Sequence, residues 1–282
     1  MVRSLFTVFC LAFAGWLSHS PAVAQDLGIN QVLELRTYTL VDEAAEAKLD
    51  AYLEQALLPA LIRLELGPIG VFGQAPESDE ESKPAGAKAV QADEKKDEEA
   101  KEIQVLLLIP GASAAAVTGA AAQLASDERY RSAAADYLNT PAAEPLVKRI
   151  RSELLMSFNC WPTVTVPKQK RDEQPRLFEM RVYESPTEKY GDLKVEMFNA
   201  GEVPIFLDSG IAPVFMGHAL IGDRMPNLTY MTVYDNDAER QAAWKAFLAH
   251  PDWQVLKAVD KYQGTVSKID KSDWIPKPYS QL

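Results

Sequence analysis

The sequence predicts an α+β fold: two tandem ferredoxin-like βαββαβ repeats whose antiparallel sheets form an α+β barrel. Three observations carry this expectation. A strand-like stretch occurs twice, as Leu33-Glu34-Leu35-Arg36-Thr37-Tyr38 and as Phe178-Glu179-Met180-Arg181-Val182-Tyr183. Both copies read Glu-x-Arg-x-Tyr with apolar or β-branched residues between, the period-two alternation of a half-buried strand. Landmarks in the two halves also keep a common spacing. Glu34 and Glu179 lie 145 residues apart, as do Pro59 and Pro204; Val71 and Val214 lie 143 apart; Val105 and Leu228, and Tyr130 and Trp253, lie 123 apart. One insertion of 20 residues in the first half, at an acidic stretch, reconciles all five spacings. Finally, each half reads strand–helix–strand–strand–helix–strand, the split-βαβ order. Such a sheet carries helices on one face, and a second sheet can cover the other.

The elements follow in order. Val32–Leu40 is the first strand. Asp42 suits the N-cap of the next helix, with Glu43 and Glu46 in its first turn. The stripe Leu49, Leu53, Leu57 and Leu61 carries that helix to about Leu66, with a kink expected at Pro59 and an end at Gly67. Ile69 to Gln74 is a short strand. Pro76 to Lys101 has no aromatic residue and is dominated by Glu, Asp, Lys and Ala. Such a composition buries too little apolar surface to offset ordering entropy, so it is read as a solvated acidic insertion. Ile103 to Ile109 is a nearly continuous apolar run, expected at the centre of a sheet. Ser113 to Ala125 is an Ala-rich helix, Asp127 opens another, and Arg151 to Phe158 is the closing strand. Pro162 to Pro175 reads as a linker.

The second half repeats the plan. Its strands are Leu177 to Glu184, Pro213 to Ile221, Leu228 to Tyr234 and Thr265 to Ile269, with a Pro-rich tail after the last. Its helices are Asp192 to Asp208, containing Pro204, then Ala238 to Ala249, and a last one from His250-Pro251-Asp252-Trp253 to about Tyr262. The expected domains are therefore a first repeat over residues 31–161 with its insertion at about 76–101, a linker at 162–175 and a second repeat over 176–282.

Residues 1–24 read as a secretory signal peptide. Arg3 supplies the positive start, Leu5 to Leu17 the apolar core, and Ala22-Val23-Ala24 the small-residue cleavage site. The apolar run is shorter than the ~20 residues of a spanning helix, so no stable membrane insertion is expected after cleavage, and the chain is expected to be periplasmic or secreted. The formal charge of −11 and the lack of a basic patch exclude nucleic acid as a partner. Cleavage leaves Cys160 as the remaining cysteine, which allows no internal disulfide and reads as a small hydrophobe.

The second half resembles the NIPSNAP family. The resemblance lies in Phe178–Tyr183, in Gly210-Ile211-Ala212-Pro213-Val214-Phe215, in Leu228–Tyr234, and most strongly in the run from Glu239 to Trp253. The first half keeps Glu-x-Arg-x-Tyr and Asp127-Glu128-Arg129-Tyr130 but lacks a counterpart of Trp244. The resemblance implies the dimeric α+β barrel fold, whose wider relatives include small monooxygenases, haem enzymes and ligand-binding proteins. It implies no settled catalytic activity.

Alternation puts Glu34, Arg36 and Tyr38 on one strand face and Glu179, Arg181 and Tyr183 on another. If helices cover the apolar faces, these six side chains point into the barrel. They would then line it as paired charges or hold a small, anionic ligand, since the Arg fork can bond both oxygens of a carboxylate. His218 is the better histidine for chemistry or haem ligation; His250 suits a helix C-terminus. No His, Cys or carboxylate stands at metal-ligand spacing, and no Ser-His-Asp elbow, phosphate loop or dinucleotide fingerprint is present. Trp244, Phe247 and Trp253, at helical spacing, read as core and interface. The expectation is an exported NIPSNAP-like protein binding a small molecule in a polar barrel interior. No cofactor is required, and a homodimer is one route to the barrel. The alternatives are a monooxygenase-like enzyme, cofactor-free or haem-dependent, and a structural or interaction module acting through the acidic insertion or an exposed sheet edge.

Overall fold

The computed structural model describes residues 30–76 and 102–282. The expected signal peptide and all but the edges of the acidic insertion lie outside these residues. The first half runs β1 (Val32–Leu40), α1 (Glu43–Tyr52), α2 (Leu58–Arg63), β2 (Gly70–Gln74), β3 (Gln104–Gly111), α3 (Ala114–Ser126), α4 (Glu128–Ala133), α5 (Ala135–Leu138) and β4 (Val147–Ser157). A short α6 (Lys168–Arg171) follows. The second half runs β5 (Leu177–Glu184), α7 (Glu188–Met197), α8 (Val203–Asp208), β6 (Ala212–Ile221), β7 (Asn227–Tyr234), α9 (Asp237–Ala249), α10 (Pro251–Leu256) and β8 (Lys268–Pro276).

Local chemistry sets several of these boundaries. The Asp42 carboxylate accepts from the Ala45 amide at 2.8 Å and starts α1, and Asn236 accepts from the Glu239 amide at 3.0 Å to start α9. The kink expected at Pro59 takes the form of a π-helical turn, Leu53–Leu57, between α1 and α2. A second one, Phe198–Glu202, precedes Pro204 between α7 and α8. Proline has no N–H to donate back along the helix, and the wider turn absorbs the missing bond.

The eight strands close into one antiparallel barrel in the order β1-β3-β2-β8-β5-β7-β6-β4. Each half contributes its four strands in the same internal order. Two seams join the halves: β2 pairs with β8, from Phe72 opposite Pro276 to Gln74 opposite Trp274, and β4 pairs with β6. The barrel therefore closes within one chain and needs no second copy to complete it. At the β4–β6 seam the backbones approach closely at Gly217, where a Cβ would sit 3.0 Å from the Met156 carbonyl oxygen.

Three apolar clusters follow from the closure. The lumen is filled by Leu33, Leu35, Phe72, Leu106, Leu108, Leu155, Phe178, Met180, Phe215, Met231, Val233 and Trp274, among others. Outside the first sheet, Leu49, Leu53, Leu57 and Leu61 pack on Tyr38, Val71, Leu107 and Ile109. Outside the second, Phe198, Phe206 and Phe247 pack on Tyr183, Met216 and Tyr230.

This arrangement corrects the expected sidedness. The apolar faces of β1 and β5 look into the lumen, and the Glu-x-Arg-x-Tyr faces look outward to the helices. A closed lumen has no water to solvate charge, so the apolar faces meet there. The sheet is covered on both faces, a case that alternation alone does not distinguish. Two further differences concern the chain ends of the second half. The last strand runs over Lys268–Pro276 in place of Thr265 to Ile269, and part of the expected tail is β8, with Trp274 in the lumen core. Polar residues fall on both of its faces, Asp270 and Ser272 beside Trp274 and Lys271 and Asp273 on the other, and this broke the alternation that marks a strand. The start of the segment from Pro162 to Pro175 is tied to the barrel: Val164 joins the lumen cluster, and the Thr165 amide donates to the Val214 carbonyl at 2.9 Å, while residues 171–175 are exposed. Among the described residues, no helix is long and apolar enough to cross a membrane.

Candidate functional site

In the first half, the outward face of β1 forms the floor of a cavity of about 360 Å3 between sheet and helices. Glu34 and Arg36 line its floor; Leu57 and Leu61 line one wall, Ala120, Ala121 and Leu124 of α3 another, and Tyr130 and Arg131 the edge. Pockets of about 300–1,000 Å3, mostly apolar with a few placed polar groups, are the usual form of a small-molecule site.

The floor is held firmly. Arg36 donates to both oxygens of Glu34, from Nε at 2.8 Å and from Nη2 at 3.0 Å. The Ser152 hydroxyl, from β4, donates to Glu34 Oε1 at 2.7 Å. Arg36 Nη1 reaches the Tyr38 hydroxyl at 3.5 Å. Burial by itself would lower the Arg36 pKa, but Tyr38 and Glu34 more than reverse this, so the guanidinium stays charged. At the edge, the Tyr52 and Tyr130 hydroxyls lie 2.9 Å apart. Burial pushes the Tyr52 phenol well up, so it remains a neutral hydrogen-bonding group.

The same face of β5 is built differently. Arg181 Nη2 donates to Glu179 Oε1 at 2.8 Å, and the indole N–H of Trp244 donates to Glu179 Oε2 at 2.6 Å. The Arg181 guanidinium lies over the Trp244 ring, 3.5 Å from its centroid. Phe206 and Phe247 flank that ring, each with centroids 5.6 Å away. Trp244 thus occupies the space that is open in the first half. The side chain of Arg36 is 23% exposed and that of Arg181 only 9%.

Of the expected site residues, Glu34 and Arg36 line the cavity, and Tyr38 lies buried beside Arg36 without lining it. Glu179 and Arg181 come together under Trp244, and Tyr183 is 2.8 Å from the Tyr230 hydroxyl. The two triads lie under different helix layers and do not share one site. His218, on β6, is apart from both. Its ring stacks near Phe158, its Nδ1 finds no partner among the described residues, and burial lowers its pKa. It does not line the cavity above the Glu34–Arg36 pair. The second cavity, about 370 Å3, lies against the π-helical turn before Pro204 and is lined by Cys160, Trp161 and Leu207. Burial pushes the Cys160 thiol up to about 11, so it is not a thiolate at neutral pH. Among the described residues, no group of three or more His, Cys, Asp or Glu is placed to hold a metal ion.

Sequence reasoning missed Tyr52, Ser152 and the wall of small residues. The signal was present: the spacing of 123 that relates Tyr130 to Trp253 relates Ala121 to Trp244.

Residues 178–281 match the NIPSNAP family model. Comparison with curated proteins found no match. Among solved structures, the chain is similar to a candidate monooxygenase from Lactobacillus acidophilus, at 10% identity and a TM-score of 0.53, covering 88% of this chain and 94% of that one. A candidate monooxygenase from Fusobacterium nucleatum gives 7% identity and a TM-score of 0.51, covering 88% and 93%. A NIPSNAP-like domain protein from Burkholderia xenovorans is 16% identical over 37% of this chain and 88% of that one, with a TM-score of 0.35. The first two likenesses show that the fold is an α+β barrel.

Proposed function

We propose that the protein binds a small, largely apolar molecule in the first-half cavity above the Glu34–Arg36 pair. One observation carries this reading: the cavity is open where the equivalent space in the second half is filled by Trp244. A wholly structural sheet–helix layer gains by filling such a space, because voids forfeit dispersion contacts. The site lies outside the lumen, and the lumen is packed with apolar side chains. The expectation of an anionic ligand loses its motive, since the Arg36 fork is already engaged by both oxygens of Glu34.

The lining holds no histidine or cysteine, and its carboxylate is engaged by Arg36 and Ser152. This favours binding over acid–base catalysis, which calls for a group free to exchange a proton. The monooxygenase reading rests on likeness of fold alone. Export belongs to the same proposal, on the strength of Arg3, the apolar run to Leu17 and Ala22-Val23-Ala24. N-terminal sequencing of the protein from its own host would find Gln25 or a near neighbour first; an intact Met1 would refute it.

The test of the site is native mass spectrometry on protein from that host. A small molecule should accompany the wild type and be absent from Ala121→Trp. A molecule retained by Ala121→Trp would overturn the assignment.

A further inference from the structure

We infer that the first-half cavity takes a planar aromatic molecule carrying an N–H or O–H donor on its edge. This deepens the binding reading above and rests on it. The argument is that the protein holds such a group in its own second half.

The two halves place equivalent residues around the two spaces. Arg36 lies opposite Leu107 on β3, as Arg181 lies opposite Tyr230 on β7. Pairs of side chains then correspond through the sequence spacings: Glu34 with Glu179, Leu61 with Phe206, and Leu124 with Phe247. In the second half these residues surround an indole. Its face lies on the guanidinium, its N–H meets the carboxylate, and its edges meet the two flanking side chains. In the first half Arg36, Glu34, Leu61 and Leu124 all line the cavity, and Ala121 replaces the tryptophan.

The chemistry of the floor selects for the same kind of group. A guanidinium plane attracts an aromatic face, and does so more strongly when desolvated. Among the described residues Glu34 Oε2 accepts one hydrogen bond, from Arg36 Nη2, and a carboxylate oxygen has capacity for another. An edge donor would meet that oxygen as the indole N–H meets Glu179. The walls are otherwise mostly aliphatic, with Tyr52, Tyr130 and Arg131 among the lining, and suit the rest of a ring system. An aliphatic molecule would leave both the guanidinium face and this acceptor unanswered.

The test is calorimetric titration of the wild type with three probes: indole, N-methylindole and cyclohexanecarboxylate. Indole should bind, and N-methylindole about tenfold or more weaker, since a hydrogen bond to a charged group is lost. Ala121→Trp, checked for native circular dichroism, should abolish indole binding by supplying the ring internally. Glu34→Gln should weaken indole by a similar factor and leave N-methylindole unchanged. Equal affinity for indole and N-methylindole, or indole binding that survives in Ala121→Trp, overturns the inference. If cyclohexanecarboxylate binds, is lost in Ala121→Trp, and indole does not bind, the inference falls while the small-molecule reading stands. Failure of all three probes overturns the inference and leaves native mass spectrometry to judge the site itself.

Discussion

Glu34 and Glu179 stand at matching places in two sheets, and the difference between them is what each carboxylate meets beyond its arginine. Glu34 meets a serine and a cavity; Glu179 meets an indole. Trp244→Ala should therefore recreate in the second half the space found in the first. Large-to-small core changes at tryptophan cost about 3–5 kcal/mol, and the partial exposure of Trp244 places it near the lower bound. Urea denaturation with an unchanged midpoint would show that the indole is not a packed part of the layer. A second prediction concerns Glu153, buried on the lumen side of β4 beside Gly222. Burial, then a hydrogen bond with Asp223, pushes its carboxyl up to about 7 from 4.5, against the pull of Arg151. A carboxyl with a raised folded pKa stabilises the fold when protonated. Its contribution is complete below the unfolded value and is lost as pH rises through the folded one. Glu153→Gln should thus lose less thermal stability than the wild type between about pH 5 and about pH 8. His218, whose pKa is lowered, acts in the opposite sense in both proteins and cancels in the comparison. Parallel melting curves over that range would refute the assignment.

The paired helices show how one element plan accepts two chemistries. Both helices before the second strand carry a π-helical turn ahead of a proline. In the second half, Lys194 of α7 donates to Glu202 at 2.7 Å, both side chains buried, with the ammonium over the Phe198 ring at 4.7 Å. The spacing of 145 places Leu49 and Leu57 at the corresponding points of the first half, and both are buried in its core. Lys194→Leu alone leaves the Glu202 carboxylate buried without its partner and should cost about 3–5 kcal/mol. The double change Lys194→Leu with Glu202→Leu should recover most of that loss or exceed the wild type, because a packed apolar pair avoids the desolvation of two charges. A double variant no more stable than the single one, by urea midpoint, would show that the ion pair is required by the shape of the turn.

At the scale of the whole molecule, the lumen is one core built from both halves. Phe72 and Phe178 meet edge to face at 4.9 Å across it, and Trp274 from the last strand joins them. Neither four-stranded sheet can bury its lumen face alone. The chain should therefore unfold in a single transition, with tryptophan fluorescence and far-ultraviolet circular dichroism giving coincident urea curves. Two separated transitions would mean that the halves are independent domains. The same closure explains why no second copy is needed: the seams β2–β8 and β4–β6 are made inside the chain.

The order of elements was legible in the residues because it rests on local chemistry. Period-two alternation marked β1 and β5 at their observed bounds, Asp42 marked the start of α1, and Pro59 marked where the first helix deforms. The Glu–Arg–Tyr residues were legible as a group because a strand places them on one face. Which way that face points was not, since alternation is symmetric and only closure of the barrel decides which side loses its water. Nor was the site legible as a space. An alanine at position 121 says nothing alone; it becomes an opening once α3 is packed over Arg36 and the second half shows a tryptophan in the same place. Sequence by itself determined the order of most elements, which residues share a strand face and the likeness between halves. Tertiary structure decided inside from outside and filled from open, because both depend on which surfaces the closed sheet and its helices remove from water.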